Sequence, residues 1–356
     1  MPRLFEPLEL RSVTLRNRIG MSPMCMYSCD AKDGVPNAWH MSHLGSRASG
    51  GTALIIAEAS AVEPEGRISP QDAGIWSDGQ ASAWAPIAAF IESQGAVPSI
   101  QIAHAGRKAG TKRPADGRGI VDDAEAWQAV APSAVPFDAG WRIPHELTVA
   151  ELATLKQKWV DAARRSQQAG FRLLEVHNAH GYLLHSFLSP LSNLRTDEYG
   201  GSLEKRMRFP LEVVEAVRAV WPAELPLSVR ISGTDWHPEG WSIDDSVAYA
   251  RELKQLGVDI IDCSSGGNIP QADIPVGPGY QVHIAERVRR EAGIPTMAVG
   301  MITEARQAEQ IVSSGQADMV LLARELLREP HWAIKAAREL EASAPWPQQY
   351  GWAVGG

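Results

Sequence analysis

Two imidazoles and a phenol stand within six residues of one another, at His177, His180 and Tyr182. These side chains donate hydrogen bonds and move protons. The residues before them, 173–176, read as a buried strand. Those after them, 182–188, read as a short apolar helix, followed by a polar, glycine-closed loop ending at Gly201. Side chains alternate faces along a strand, so His177 and His180 converge only if the chain leaves strand geometry between them. Gly181 and the helical pattern behind it predict that it does.

The elements that must position this trio repeat along the chain. Apolar strands are expected at 19–24, 53–59, 97–103, 173–176, 227–231, 259–263, 296–300 and 319–323, each followed by a helical stretch. Helix starts carry their own signals. Thr148 with Glu151 forms a capping box, and Ser202 and Ser242 are N-caps. Eight alternating strand–helix units predict an α/β fold, a single (β/α)8 TIM barrel. An open doubly wound sheet would normally stop at five or six strands. The whole of 1–356 reads as one domain: two short strands at 4–10 and 14–17 form an N-terminal β-hairpin within 1–18, an irregular excursion after strand 3 covers 108–146, and a Pro/Trp-rich tail covers 341–356.

Function in such a barrel sits where the strands run into the βα loops. That rim collects Pro23, Met24, Cys25, Tyr27, Ala59, Gln101, His104, Arg230, Ser265, Gly300 and Arg324 beside the trio. Glu58 is its only carboxylate, which disfavours a divalent metal held by oxygens. A zinc ion on His177, His180 and a third ligand such as His104 or Cys25 is compatible with the residue types and defines an alternative, a zinc-dependent TIM-barrel hydrolase. No lysine falls at these strand ends, which counts against a Schiff-base lyase. After strands 7 and 8, Gly300 allows close backbone approach and Arg324 offers a bidentate partner, which predicts a phosphate-bearing ligand. With Gln101 and Arg230 on other strands, the pattern suggests a flat cofactor across the barrel mouth.

Composition narrows the partners. The chain has 356 residues, 44% hydrophobic and 21% charged, with a net charge of −8. That balance argues against nucleic acid or an anionic membrane as partner. No uninterrupted apolar run approaches the ~18 residues of a membrane span, and the N-terminal stretch lacks the apolar core of a secretory signal. Three scattered cysteines, Cys25, Cys29 and Cys263, fit a reducing, cytoplasmic setting.

Seven runs together carry a resemblance: Phe5-Glu6-Pro7, Arg16-Asn17-Arg18, Ser22 to Tyr27, Gln101 to Arg107, His177 to Tyr182, Ser192 to Ser202, and Ala323-Arg324-Glu325. In this order, over nearly the whole chain, they resemble the old yellow enzyme family. Cys25 and His180 look like its thermophilic-like bacterial branch. The resemblance implies an ene-reductase with non-covalent FMN, NADPH or NADH as reductant, and a small enone, enal or nitro compound as substrate. It implies that Ser22, Pro23, Met24, Cys25 and Ala59 line the flavin, that Gln101 and Arg230 contact its ring, and that Gly300, Ala323 and Arg324 hold the phosphate. By the same resemblance His177 and His180 bind the substrate oxygen, Tyr182 donates the proton, Tyr27 lines the substrate pocket and Cys25 tunes the flavin.

Three positions depart from the family pattern. Asn178 stands where a small apolar residue is expected, and Ala323 replaces a glycine, which demands ordinary backbone there. Some relatives send an arginine near the C-terminus into a neighbouring subunit's site. No arginine follows Leu340 here, so Trp352 is expected to line the partner's pocket in a homodimer or homotetramer.

Overall fold

The computed structural model describes every residue except Arg118 and Asp122 of the excursion and Ala344, Pro345, Gly355 and Gly356 of the tail, with the side chains of Asp123 and Val354 also outside it. Eight parallel strands follow one another around a closed barrel. They are β1 (Ile19–Met21), β2 (Leu54–Ala61), β3 (Val97–Ala103), β4 (Leu173–Asn178), β5 (Leu227–Ser232), β6 (Ile260–Ser264), β7 (Thr296–Ala298) and β8 (Met319–Leu322). Closure pairs Val320 with Ile19, Leu321 with Gly20 and Leu322 with Met21. The expected eight-unit barrel is therefore the observed fold.

Each strand is followed by a helix of the outer ring: α1 (Ala38–Ser49), α2 (Asp78–Ser93), α3 (Val149–Gln168), α4 (Leu203–Val220), α5 (Ile243–Gln255), α6 (Val282–Ala292), α7 (Ala305–Ser313) and α8 (Trp332–Glu339). The caps read from the sequence form as expected. Thr148 and Glu151 satisfy each other's backbone N–H groups at α3, and the Ser202 and Ser242 hydroxyls accept from Lys205 N and Asp245 N.

Strand alternation divides the apolar residues into two layers. Ile55, Ile100, Leu174, Val229, Ile261 and Val320 face outward into the helix ring and belong to the main core. Leu54, Ile56, Leu173, Ile260, Met297, Met319 and Leu321 fill the lower barrel interior with Leu10 and Leu15. The N-terminal strands are shorter than expected, Leu8–Leu10 and Val13–Leu15, and Arg3–Phe5 is a 3-10 turn. They nevertheless pair as an antiparallel hairpin that closes the end of the barrel away from the βα loops. The excursion after β3 is tied at its base by a parallel pairing of Val130–Ala131 with His145–Glu146. Among the described residues no helix is long and apolar enough to cross a membrane.

Leu15 is fully buried in the plug and far from the βα loops. Leu15→Ala is expected to cost roughly 2–5 kcal/mol of stability through lost burial and a residual cavity. Urea unfolding measures it; a loss below about 1 kcal/mol would mean the plug collapses onto the gap.

Candidate functional site

The chain leaves strand geometry where the sequence requires it to. β4 ends at Asn178, and His180 and Gly181 then adopt left-handed φ values of 61° and 71°. For His180 this conformation costs roughly 1–2 kcal/mol. Three hydrogen bonds of net value about 0.5–1.5 kcal/mol each offset it. His180 N donates to Ser232 Oγ at 2.9 Å, Lys108 Nζ donates to His180 O at 2.9 Å, and Gly181 N donates to His185 Nδ1 at 2.8 Å. Gly181 cannot carry a side chain, because a Cβ would lie 2.3 Å from Gly267 O.

His185 is fully buried. Its Nδ1 accepts from Gly181, so its proton sits on Nε2, 3.2 Å from Asp235 Oδ1. Burial alone would raise the Asp235 pKa. The facing His185 imidazole and hydrogen bonds from Ser189 and Trp241 outweigh it and hold the carboxyl below its ordinary value.

This turn brings the trio together. The ring centroids of His177 and His180 are 5.1 Å apart, and those of His177 and Tyr182 are 5.1 Å apart, all nearly perpendicular. Burial, followed by Arg230, pushes both imidazoles well below the usual histidine range, so both are neutral near pH 7. Burial, with Cys25 and Tyr27 next in effect, pushes the Tyr182 phenol well above its usual value, so it keeps its proton. Asn178 faces the other way, into the helix layer, where its amide donates to the Tyr249 hydroxyl on α5.

The loop after β1 carries Ser22 to Tyr27. Glu58 on β2 accepts from Met26 N at 2.8 Å and faces His40 Nε2 of α1 at 3.2 Å, which anchors the loop to the barrel. Burial, with Asp72 and Glu58 behind it, raises the Cys25 thiol well above its ordinary pKa, so it remains a neutral thiol. Tyr27 adopts a φ of 54° and lies near enough to Tyr182 to affect its titration. Ala59, at the top of β2, is buried.

Beneath the trio lies a polar layer in which Gln101 and Arg230, named from the sequence, meet two carboxylates that the sequence reading missed. Gln101 Nε2 donates to Glu175 Oε1 at 2.9 Å, and Ser228 Oγ donates to Glu175 Oε2 at 3.0 Å. Arg230 Nε faces Asp262 Oδ2 at 3.1 Å. Burial raises Glu175 to about 8 and Asp262 to about 6, against the pull of Arg230. A single carboxylate inside an otherwise apolar strand is the signal that would have exposed this layer: Glu175 shares a face with His177, and Asp262 with Ser264.

A cavity of about 460 Å³ opens between β6, β7 and β8, lined by Arg230, Ser264, Tyr280, Gly300, Ala323 and Arg324 among others. Gly300 has a φ of 128°, and a Cβ on it would press against Gln281 and Tyr280 at 3.0–3.2 Å. Ala323 has a φ of −107°, outside the left-handed region that favours glycine, and a ψ of −101°, neither helical nor extended. Among the described residues Arg324 makes no hydrogen bond or ion pair, and Arg230 makes no hydrogen bond of good geometry. Two guanidiniums with donors unspent, and a backbone cradle that a side chain would fill, fit a phosphate-bearing ring cofactor.

Other expectations fall outside this cluster. His104 is buried against Glu63, with Nε2 at 2.9 Å from its carboxylate and Nδ1 accepting from Gly106 N. Among the described residues no three His, Cys, Asp or Glu side chains stand together to hold a metal, so the zinc alternative lacks its third ligand. Trp352 is 88% exposed on the short helix Gly351–Val354 and contributes nothing to its own chain's site. No lysine stands at a strand end, as read from the sequence, but one reaches the site from beyond β3. Lys108, on the 3-10 turn after β3, donates to His180 O and Gly267 O at 2.9 Å, and its Nζ lies 5.0 Å from the Tyr182 ring centre. Burial, then Arg107, lowers it to about 7. Its amine is engaged with two carbonyls rather than presented as a nucleophile.

The family model of NADH:flavin oxidoreductases and NADH oxidases matches residues 3–343. The chain belongs to this family. This flavin oxidoreductase is 50% identical over 351 residues to an NADPH dehydrogenase of Geobacillus sp. (strain WCH70), covering 98% of each chain. Its structure is similar to morphinone reductase, with a TM-score of 0.80 and 28% identity over 98% of this chain and 92% of that one. It is also similar to an old yellow enzyme homologue from Zymomonas mobilis, with a TM-score of 0.79 and 27% identity over 97% and 94%. The old yellow enzyme resemblance and the FMN and nicotinamide dependence it implied are borne out.

The shifted carboxyl in the polar layer has a measurable consequence. A carboxyl whose folded pKa exceeds its unfolded value binds its proton more tightly when folded, so its contribution to stability falls as pH rises through that interval. For Glu175 the interval runs from 4.5 to about 8. Glu175→Gln is expected to flatten the loss of stability of FMN-free protein between these limits. Urea unfolding across that range checks it, and an unchanged slope would assign the proton elsewhere.

Proposed function

We propose that the chain is an ene-reductase, taking hydride from NADPH or NADH and reducing the activated C=C bond of α,β-unsaturated carbonyl or nitro compounds by a ping-pong sequence. The observation that carries this reading is the convergence of two neutral imidazoles and a protonated phenol on one point beside the two-arginine cavity. The FMN, when bound, supplies the hydride relay between nicotinamide and alkene. Ser22, Pro23, Met24, Cys25 and Ala59 would line it, Gln101 and Arg230 would meet its ring, and Gly300, Ala323 and Arg324 would hold its phosphate.

His177 and His180 bind the substrate's carbonyl or nitro oxygen and stabilise the negative charge that develops there. Hydride arrives at Cβ, and Tyr182 gives its proton to Cα, after which solvent restores the phenol. The raised phenol pKa supports this role, because a donor must hold its proton until the step occurs. Tyr27 lines the substrate pocket. Cys25, small and held as a neutral thiol, tunes the flavin's potential. Trp352, exposed at the tail of one subunit, lines the neighbour's pocket in a homodimer or homotetramer.

An absorption spectrum before and after adding p-hydroxybenzaldehyde tests the reading. A flavin spectrum that gains a long-wavelength charge-transfer band is expected, with the phenolate held by the two imidazoles. A flavin spectrum without that band would remove His177 and His180 from the substrate role. Tyr182→Phe is expected to slow enone reduction by roughly 10²–10⁴-fold while leaving flavin reduction by NADPH unchanged. Stopped-flow traces of the two half-reactions separate these effects, and an equal loss in both would assign Tyr182 a structural part. Cys25→Ala is expected to shift the flavin potential with FMN retained; an identical potential would make the thiol a packing group.

A further inference from the structure

The two imidazoles cannot both donate in the arrangement that their own hydrogen bonds favour. His177 Nδ1 accepts from Ala179 N at 3.2 Å, so its single proton lies on Nε2. That nitrogen is 3.4 Å from His180 Nδ1. On the far side of the His180 ring, Nε2 is 2.7 Å from Ser264 Oγ at the end of β6. Among the described residues this imidazole is the only side-chain partner of the Ser264 hydroxyl. A continuous chain results: Ala179 N–H to His177, His177 Nε2–H to His180 Nδ1, and His180 Nε2–H to Ser264. In it both imidazole protons are spent within the protein.

An oxygen bound between the rings needs a proton on His180 Nδ1 instead. A neutral imidazole then has a bare Nε2, which must accept. A hydroxyl can reverse its role at fixed heavy-atom positions, whereas a carbonyl or a methyl could not. We propose that Ser264 is a positioning residue that lets His180 switch tautomer: its hydroxyl accepts from Nε2–H when the site is free, and donates to bare Nε2 when an anionic or carbonyl oxygen occupies the site. The proton leaves Nε2 to water and another arrives at Nδ1, so the imidazole stays neutral throughout. His180 is only half-buried, which gives water access for this exchange. The ligand-bound half of the proposal rests on the substrate-oxygen role given above to His177 and His180; the ligand-free half does not.

Histidine ¹⁵N shifts of the holoenzyme read the tautomer directly, with His180→Gln assigning the resonance. Free holoenzyme is expected to show His180 protonated at Nε2, and the p-hydroxybenzaldehyde complex to show it protonated at Nδ1. Ser264→Ala is expected to keep the Nε2–H tautomer when free, because His177 Nε2–H still donates to bare Nδ1. It should bind the phenol roughly tenfold or more weakly, because bare Nε2 is left without a donor. Ser264→Thr keeps the hydroxyl and should restore the affinity, with FMN content measured in each variant. Phenol affinity of Ser264→Ala equal to wild type, or a wild-type complex with His180 still protonated at Nε2, overturns the assignment. A wild type that forms no phenol complex overturns the ene-reductase reading itself, which a wild-type complex with unchanged Ser264→Ala affinity would leave standing.

Discussion

The close approach of two backbone turns, His180–Gly181 against Gly266–Gly267, is the constraint on which the site depends. A Cβ on Gly181 would meet Gly267 O at 2.3 Å, and a Cβ on Gly267 would meet His180 Cα at 2.7 Å. With both glycines bare, the chain after β4 reverses sharply enough to bring His180 beside His177 rather than opposite it. Lys108 Nζ then bridges the carbonyls of His180 and Gly267, and Ser232 Oγ links His180 N to Gly266 O. The buried Asp235–His185 pair holds the next N–H in the turn. The left-handed His180 persists because elements from four strand ends converge on it, as expected where strain is retained at a functional turn.

Burial is the largest influence on every titrating group of the trio, and it acts on each in the useful direction. Removing water disfavours the charged form, whichever form that is. Histidines therefore lose their protons and become neutral donors, while the Tyr182 phenol and the Cys25 thiol keep theirs. Arg230 adds to this by opposing positive charge on both imidazoles. The barrel interior is graded accordingly along β4: Leu173 sits in the apolar plug, Glu175 in the polar layer, and His177 at the mouth. Two-residue periodicity delivers all three to the interior face of one strand.

That periodicity also explains what was legible beforehand. Eight apolar runs separated by helical patterns leave few architectures, and local hydrogen-bond rules located the starts of α3, α4 and α5 at Thr148, Ser202 and Ser242. The trio was legible because its members are close in sequence and Gly181 marks the break. The supporting groups were not. Asp235 acts on Gly181 through His185, and Ser264 reaches His180 from another strand, so their partnership exists only once the barrel closes. Lys108 was passed over because it lies beyond the end of β3, on a turn whose direction the sequence does not disclose. The hairpin strands were read too long because Arg3–Phe5 is apolar enough to resemble a strand while its backbone closes a 3-10 turn.

The two departures from the family pattern near the site are absorbed by the same geometry. Residue 178 is odd-paired with 177, so its side chain must point outward into the helix ring. There Tyr249 of α5 accepts from the Asn178 amide nitrogen, while Asn178 Oδ1 is buried without a partner among the described residues. The result is a side chain that couples a helix to the last residue of β4 without intruding on the mouth. At 323 the absent glycine is tolerated because the left-handed backbone falls instead at Gly300 and Met301, with φ values of 128° and 49°. The left-handed turn beside the two-arginine cavity is thus made on the β7 side, and the β8 side supplies Arg324 after Ala323, whose φ is negative.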